Sequence, residues 1–169
     1  MKSKLFVVVL GEQNSGKSHT WNRLLKPDGS TVKTGTYVRT ISIGGVAIPD
    51  AFLISGSPEE RGKYVGEILG DAAPNLVLCS AQYGTGFFQT IEFAFENGFD
   101  VHIQWLNPGI GDGDWPFFDE AGVISRLMAK GCSVEMLASK DLEKRLYRLS
   151  RVIVGWNALR NRIEINVLP

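Results

Sequence analysis

The chain is poor in the groups that staple or ligate a fold. Its 169 residues include two cysteines and two histidines, too few for a disulfide framework or a zinc site of repeated spacing. Cys79 and Cys132 each lie in an apolar run, Leu76 to Cys79 and Cys132 to Leu137. They read as buried packing residues in a reducing compartment. Charge of one sign is lacking too. With 18 basic residues against 18 acidic ones there is no long-range field to attract a polyanion, and neither DNA, RNA nor a membrane surface is expected as a partner. Long apolar runs are also missing. Leu5 to Leu10, flanked by Lys2 and Lys4, is too short for a signal segment and far short of the roughly 20 residues that span a bilayer. The expected location is the cytoplasm. What remains is the composition of a globular protein, 44% hydrophobic and 21% charged. Residues 1–169 read as a single domain, with no linker and no internal repeat, able to bury roughly two-thirds of its unfolded surface.

Strand and helix patterns alternate along the chain. Lys4 to Leu10 is a β-branched, apolar run ending in glycine, the mark of a central strand buried on both faces of a parallel sheet. Ser18 to Lys26 follows as a helix with Trp21, Leu24 and Leu25 inward, broken by Pro27-Asp28-Gly29. Residues 36–55 predict an antiparallel hairpin turning at Gly44-Gly45, with Pro49 marking an edge or bulge. Ser57-Pro58-Glu59-Glu60 predicts a capped helix running to about Asp71, with Tyr64, Val65, Ile68 and Leu69 inward. Leu76 to Ser80 predicts a strand, Phe87 to Asn97 a helix ended by Asn97-Gly98, and Val101 to Leu106 a further strand. Asn107 to Asp114, with three glycines, one proline and two aspartates, is expected to be a mobile loop. Phe117 to Lys130 is expected as helix and Cys132 to Ala138 as strand. A long helix carries Leu142, Leu146, Leu149, Ile153 and Trp156 as its apolar stripe, and Arg162 to Leu168 closes as a strand or tail. The fold class that follows is α/β, three layers with a mostly parallel central sheet between helices.

One octet carries chemical meaning. Gly11-Glu12-Gln13-Asn14-Ser15-Gly16-Lys17-Ser18 places glycines, a lysine and a serine between a buried strand and a helix. Glycines permit a tight, partly left-handed path that turns successive N–H groups inward as a nest for phosphate oxygens. The helix adds its positive end. This octet resembles the Walker A motif of the P-loop NTPase superfamily, over a stretch from Leu5 to about Leu25. The resemblance implies a P-loop type of fold that binds a nucleoside triphosphate through Gly11, Asn14, Ser15, Gly16, Lys17, Ser18 and His19. Lys17 would neutralise the terminal phosphates and Ser18 would hold Mg2+.

The superfamily also places an aspartate at the end of a neighbouring strand, whereas the strands here end in Ser55 and Ser80. Either serine, through a water, or a carboxylate from Glu59 or Glu60 is the expected substitute. For Glu60 the reading preferred from sequence is simply the helix cap. Asp50 precedes its strand and is not assigned to metal. The guanine motif of the Ras-like branch is absent, with Asn107 alone at the corresponding place. ATP is therefore preferred over GTP, and the small-kinase-like branch over the Ras-like one. In the kinase branch an arginine after the mobile loop neutralises the transferring phosphoryl group, and Arg126 is the first such residue.

Arg145, Arg148 and Arg151 are read as a solvated face opposite the apolar stripe. Loops leaving the carboxyl ends of parallel strands converge, so Ser55 to Ser57, Ser80 to Thr85 and Asn107 to Asp114 are expected beside the octet. Gln82, Tyr83 and Thr85 are candidates for an acceptor or metal shell. Asp112 and Asp114 are read as solubilising the loop, with a catalytic base as the alternative. His102 reads as a core histidine, and Trp105, Trp115 and Trp156 as core, with Trp115 also a candidate to stack on a base. Two functions follow: phosphoryl transfer or hydrolysis with an unidentified small-molecule or protein acceptor, or a switch module in which the triphosphate orders Thr34 to Ile43 or residues 107–118.

Overall fold

The computed structural model describes residues 3–26, 28–108, 119, 122–138 and 140–166, with side chains through Arg162. The elements run β1 (Lys4–Gly11), α1 (Lys17–Leu25), β2 (Arg39–Ile43), β3 (Val46–Ile54), α2 (Pro58–Arg61), α3 (Val65–Leu69), β4 (Leu76–Gln82), α4 (Phe87–Glu96), β5 (Phe99–Leu106), α5 (Val123–Ala129), β6 (Ser133–Leu137) and α6 (Leu142–Asn166). They form an α/β fold around a six-stranded sheet of order β2-β3-β4-β1-β5-β6. Every pairing is parallel except β2 with β3. Among the described residues no helix is long and apolar enough to cross a membrane.

β1 is central because its side chains from Leu5 to Leu10 are buried on both faces, leaving no polar side to meet water. Phe6, Val8 and Leu10 pack with β4, β5 and the helices α3, α4 and α5 on one face. Val7 and Val9 pack on the other with Trp21 and Leu24 of α1 and Leu149 and Ile153 of α6. Each such large apolar side chain contributes about 1.5–3 kcal/mol when fully buried. Two layers of helix thus clamp the sheet.

The hairpin forms as expected, with Gly44 and Gly45 at φ 57° and 81°, the left-handed pair that a two-residue turn between twisted strands requires. Its register shifts between Arg39 and Ile41. β3 pairs with β4 only from Ala51 onward, so its first half, with exposed Pro49, forms an edge. Asp50 lies within β3 rather than before it. Its carboxylate accepts from Asn75 Nδ2 at 2.7 Å, at the sheet edge away from the octet.

Four expectations need correction. The helix expected from Ser57 to Asp71 is two short ones, α2 and α3, because Gly62 takes the left-handed conformation at φ 58° and ends the first. Tyr64 is consequently exposed rather than inward, while Val65 and Leu69 are buried. α5 begins at Val123 and not at Phe117, since Asp119 and Gly122 both have positive φ; the Asp119 carboxylate caps it, accepting from the Val123 and Ile124 amides at 2.5 and 2.9 Å. Residues 117, 118, 120 and 121 lie outside the described residues, as do Pro27 and the stretch 109–116 with Asp112, Asp114 and Trp115. The segment from Arg162 to Leu168, expected as a strand or tail, is instead the end of α6 as far as Asn166; residues 167–169 lie outside the description. Finally, Arg145 is 1% exposed. It stands one helical turn before Leu149, on the apolar stripe rather than opposite it. Arg148 and Arg151 are exposed as expected.

Candidate functional site

β1 delivers the chain to the carboxyl edge of the sheet at Gly11, and α1 leads it away from Lys17. Between them the octet makes a compact turn. Asn14 and Gly16 are left-handed, at φ 62° and 90°, and such alternation aims consecutive amides into a shared concavity. A Cβ on Gly11 would collide with Ser15 Oγ, so a larger residue there would force the Ser15 side chain to move. Ser15 Oγ is buried without a hydrogen-bond partner among the described residues. No described side chain caps α1, which leaves first-turn amides available to an anion. Residues 13–19 and Glu60 line a cleft of about 480 Å³ over this turn.

Lys17 is 6% exposed and curls back over the loop. Its ammonium donates to Gly11 O at 3.0 Å and Glu12 O at 2.7 Å, with Glu60 Oε1 and Gln82 Oε1 each 3.4 Å away. Ser18 Oγ donates to Ser55 O at 3.2 Å. The cation and the hydroxyl are therefore both held by protein acceptors, the lysine chiefly by the Gly11 and Glu12 carbonyls and more loosely by the Glu60 and Gln82 oxygens, the two contacts that an incoming anion can most easily replace. His19 is exposed on the rim.

The sheet edge brings β3, β4 and the segment after β3 to the same place. Ser80 Oγ donates to Ser55 O at 2.7 Å and accepts from Trp21 Nε1 at 3.0 Å. It is buried beneath α1 as a strut and is not among the residues that line the cleft. Glu59 is engaged too: its carboxylate accepts from Gln82 N at 3.1 Å and Thr90 Oγ1 at 2.8 Å. Glu60 differs. Its amide is capped by Ser57 Oγ at 3.3 Å, but its carboxylate turns to Lys17 and lines the cleft. The helix cap preferred from sequence accounts for Ser57 and the Glu60 amide, not for the Glu60 side chain. Among the described residues no group of three histidine, cysteine, aspartate or glutamate side chains could hold a metal unaided.

Gln82 joins the site, donating through Nε2 to Glu12 Oε2 at 3.4 Å. Tyr83 stacks on Trp105 with centroids 5.0 Å apart, and its hydroxyl donates to Asp119 at 3.4 Å. Thr85 is exposed beyond it. Arg126 is not among the residues lining the cleft. Its guanidinium lies 4.3 Å from the Phe88 ring centroid, in a groove between α4 and α5.

Arg145 is the residue that sequence reasoning missed. From α6 it donates to Thr20 Oγ1 and reaches Gly16 O at 3.5 Å, directly behind the octet. Burial pulls its pKa down, opposed by Asp141. Its place four residues before Leu149 was the available signal. His102 is buried, its Nδ1 2.6 Å from Ser133 Oγ, and lies in β5 away from the cleft. No protein-family model and no curated protein sequence matches the chain.

Proposed function

We propose that this chain is a P-loop protein that binds a nucleoside triphosphate, ATP before GTP, together with Mg2+, and transfers or hydrolyses the terminal phosphoryl group in the manner of a small kinase. The observation that carries the reading is the octet itself: a left-handed Asn14 and Gly16, an uncapped α1, and Lys17 folded over the turn. These are the parts needed to receive a polyphosphate by main-chain amides and one long-stemmed cation. Magnesium fits the residues present. It takes most of its ligands from phosphate oxygens and water, and needs here only Ser18 Oγ and the Glu60 carboxylate beside them. When bound it supplies charge neutralisation between the phosphates. Arg126 belongs to the kinase-like form of the proposal, in which its side chain leaves the Phe88 ring to meet the phosphoryl group.

One observation favours a second reading, a nucleotide-responsive binding module. Ser55 N donates to Thr34 Oγ1 at 3.1 Å, and Gly35 N donates to Leu53 O at 2.7 Å. The segment ahead of the hairpin is thereby tied to the strand end that also holds Ser18, so a ligand that moves Ser18 has a path to that segment.

Titration calorimetry with MgATP and MgGTP on the native chain and on Lys17→Ala tests the binding. A charge-assisted hydrogen bond contributes about 1.5–3 kcal/mol, so the variant is expected to bind about tenfold to hundredfold more weakly. Equal affinity in both chains overturns the site. A turnover raised by small acceptors supports the kinase-like form, and one raised only by a protein partner supports the module.

A further inference from the structure

We propose that Glu60 is a specificity-determining residue of the cleft, one that favours a polyphosphate accompanied by a divalent cation over the bare polyanion. The inference rests on the nucleotide reading above and goes further, because it names the charged form of ligand the site selects.

The argument is one of charge within a small volume. Lys17 is the ammonium of the cleft lining, and its contacts include the carboxylate of Glu60 at 3.4 Å. A polyphosphate entering over the loop must compete with Glu60 for that ammonium. If it arrives alone, two anions share one cleft and the one ammonium among the described residues that line it. If it brings a divalent cation, Glu60 gains a new counter-charge as it gives up Lys17. Among the described residues the other carboxylates nearby have partners of their own: Glu59 holds Gln82 N and Thr90, and Glu12 meets Gln82 Nε2. Glu60 is 39% exposed on its side chain and stands on the four-residue α2, so it can turn between the two partners without unpacking the core.

The test uses inorganic tripolyphosphate as probe, titrated with excess chelator and again with Mg2+, against the native chain, Glu60→Gln and Glu96→Gln. Glu60→Gln exchanges a carboxylate for an amide of the same shape and leaves the backbone cap on Ser57 intact, and unfolding curves verify the fold. Glu96 is exposed at the far end of α4 and controls for net charge. Glu60→Gln is expected to bind metal-free tripolyphosphate about five- to tenfold more tightly, the scale of a half-exposed like-charge contact. The gain conferred by Mg2+ should shrink by a similar factor, while Glu96→Gln follows the native chain. Metal-free binding by Glu60→Gln that is equal to or weaker than native overturns the inference alone. A native chain that binds neither tripolyphosphate nor ATP, with or without Mg2+, removes this inference and the nucleotide reading together.

Discussion

Ser55 shows how much a single residue can organise. Its carbonyl accepts two hydroxyls, from Ser18 and Ser80, and its amide donates to Thr34. Through Ser80 the indole of Trp21 joins the same chain of bonds, so the helix that follows the loop is pinned to the end of β3. A buried carbonyl with both lone pairs used leaves nothing unsatisfied. His102 is less well provided for: Nδ1 meets Ser133 Oγ, but Nε2 is buried without a partner among the described residues. Burial lowers its pKa below the ordinary histidine value, with Glu135 opposing. Above the unfolded-state value, near 6.5, both states are neutral and pH has no effect through this group. As pH falls from there toward the depressed folded value, the unfolded chain takes up a proton that the folded chain refuses, and stability is lost. The midpoint of thermal unfolding should therefore drop between pH 7.5 and 5.5, and His102→Gln should flatten that drop. An identical slope in both proteins would exclude His102 as its source. The two thiols are quiet at neutral pH, since burial pushes Cys132 to about 11 and Cys79 well above its usual value.

At the scale of elements, α6 acts as a brace with polar ends. Leu149 and Ile153 bury against the sheet, while Arg145 near its start and Asn157 and Arg160 near its end are buried along the same stripe. Arg145 joins α6 to the first turn of α1 through Thr20 Oγ1 and Gly16 O, and its main-chain carbonyl accepts from Gln104 Nε2 at 3.1 Å. Arg145→Met should cost about 1–3 kcal/mol in denaturant unfolding, the range for breaking a buried hydrogen bond to a charged group. A loss below about 0.5 kcal/mol, typical of a surface change, would show that the guanidinium contributes nothing to the brace. The opposite face of the sheet is covered by shorter helices. α2 and α3 are four and five residues long and are separated by left-handed Gly62.

For the molecule as a whole, the strand order sets what meets the loop. β4 lies between β1 and β3, so Gln82 reaches Lys17 from the adjacent strand and Ser55 reaches Ser18 from one strand farther on. A ligand bound there stabilises only the folded chain. With ATP and Mg2+ at a hundred times the dissociation constant the gain is about 2.7 kcal/mol. For a domain of this size that raises the unfolding midpoint by roughly 5–10 °C, measured by scanning calorimetry, and Lys17→Ala should lose most of the shift. No shift in the native chain would argue against the site. The alternation of strand and helix, the hairpin turn at Gly44-Gly45 and the octet at 11–18 were all legible along the chain, because each depends on residues within a few positions of one another. The end of α6 was not legible: Ile163-Glu164-Ile165-Asn166-Val167 alternates as a strand would, yet the helix continues through Asn166. Sequence alone determined a tight, glycine-bearing turn between a buried strand and a helix. Tertiary structure decided which charges stand around it, bringing Glu60 in front and Arg145 behind, because these contacts close over 43 and 129 positions and arise only when strand order and helix packing bring distant segments together.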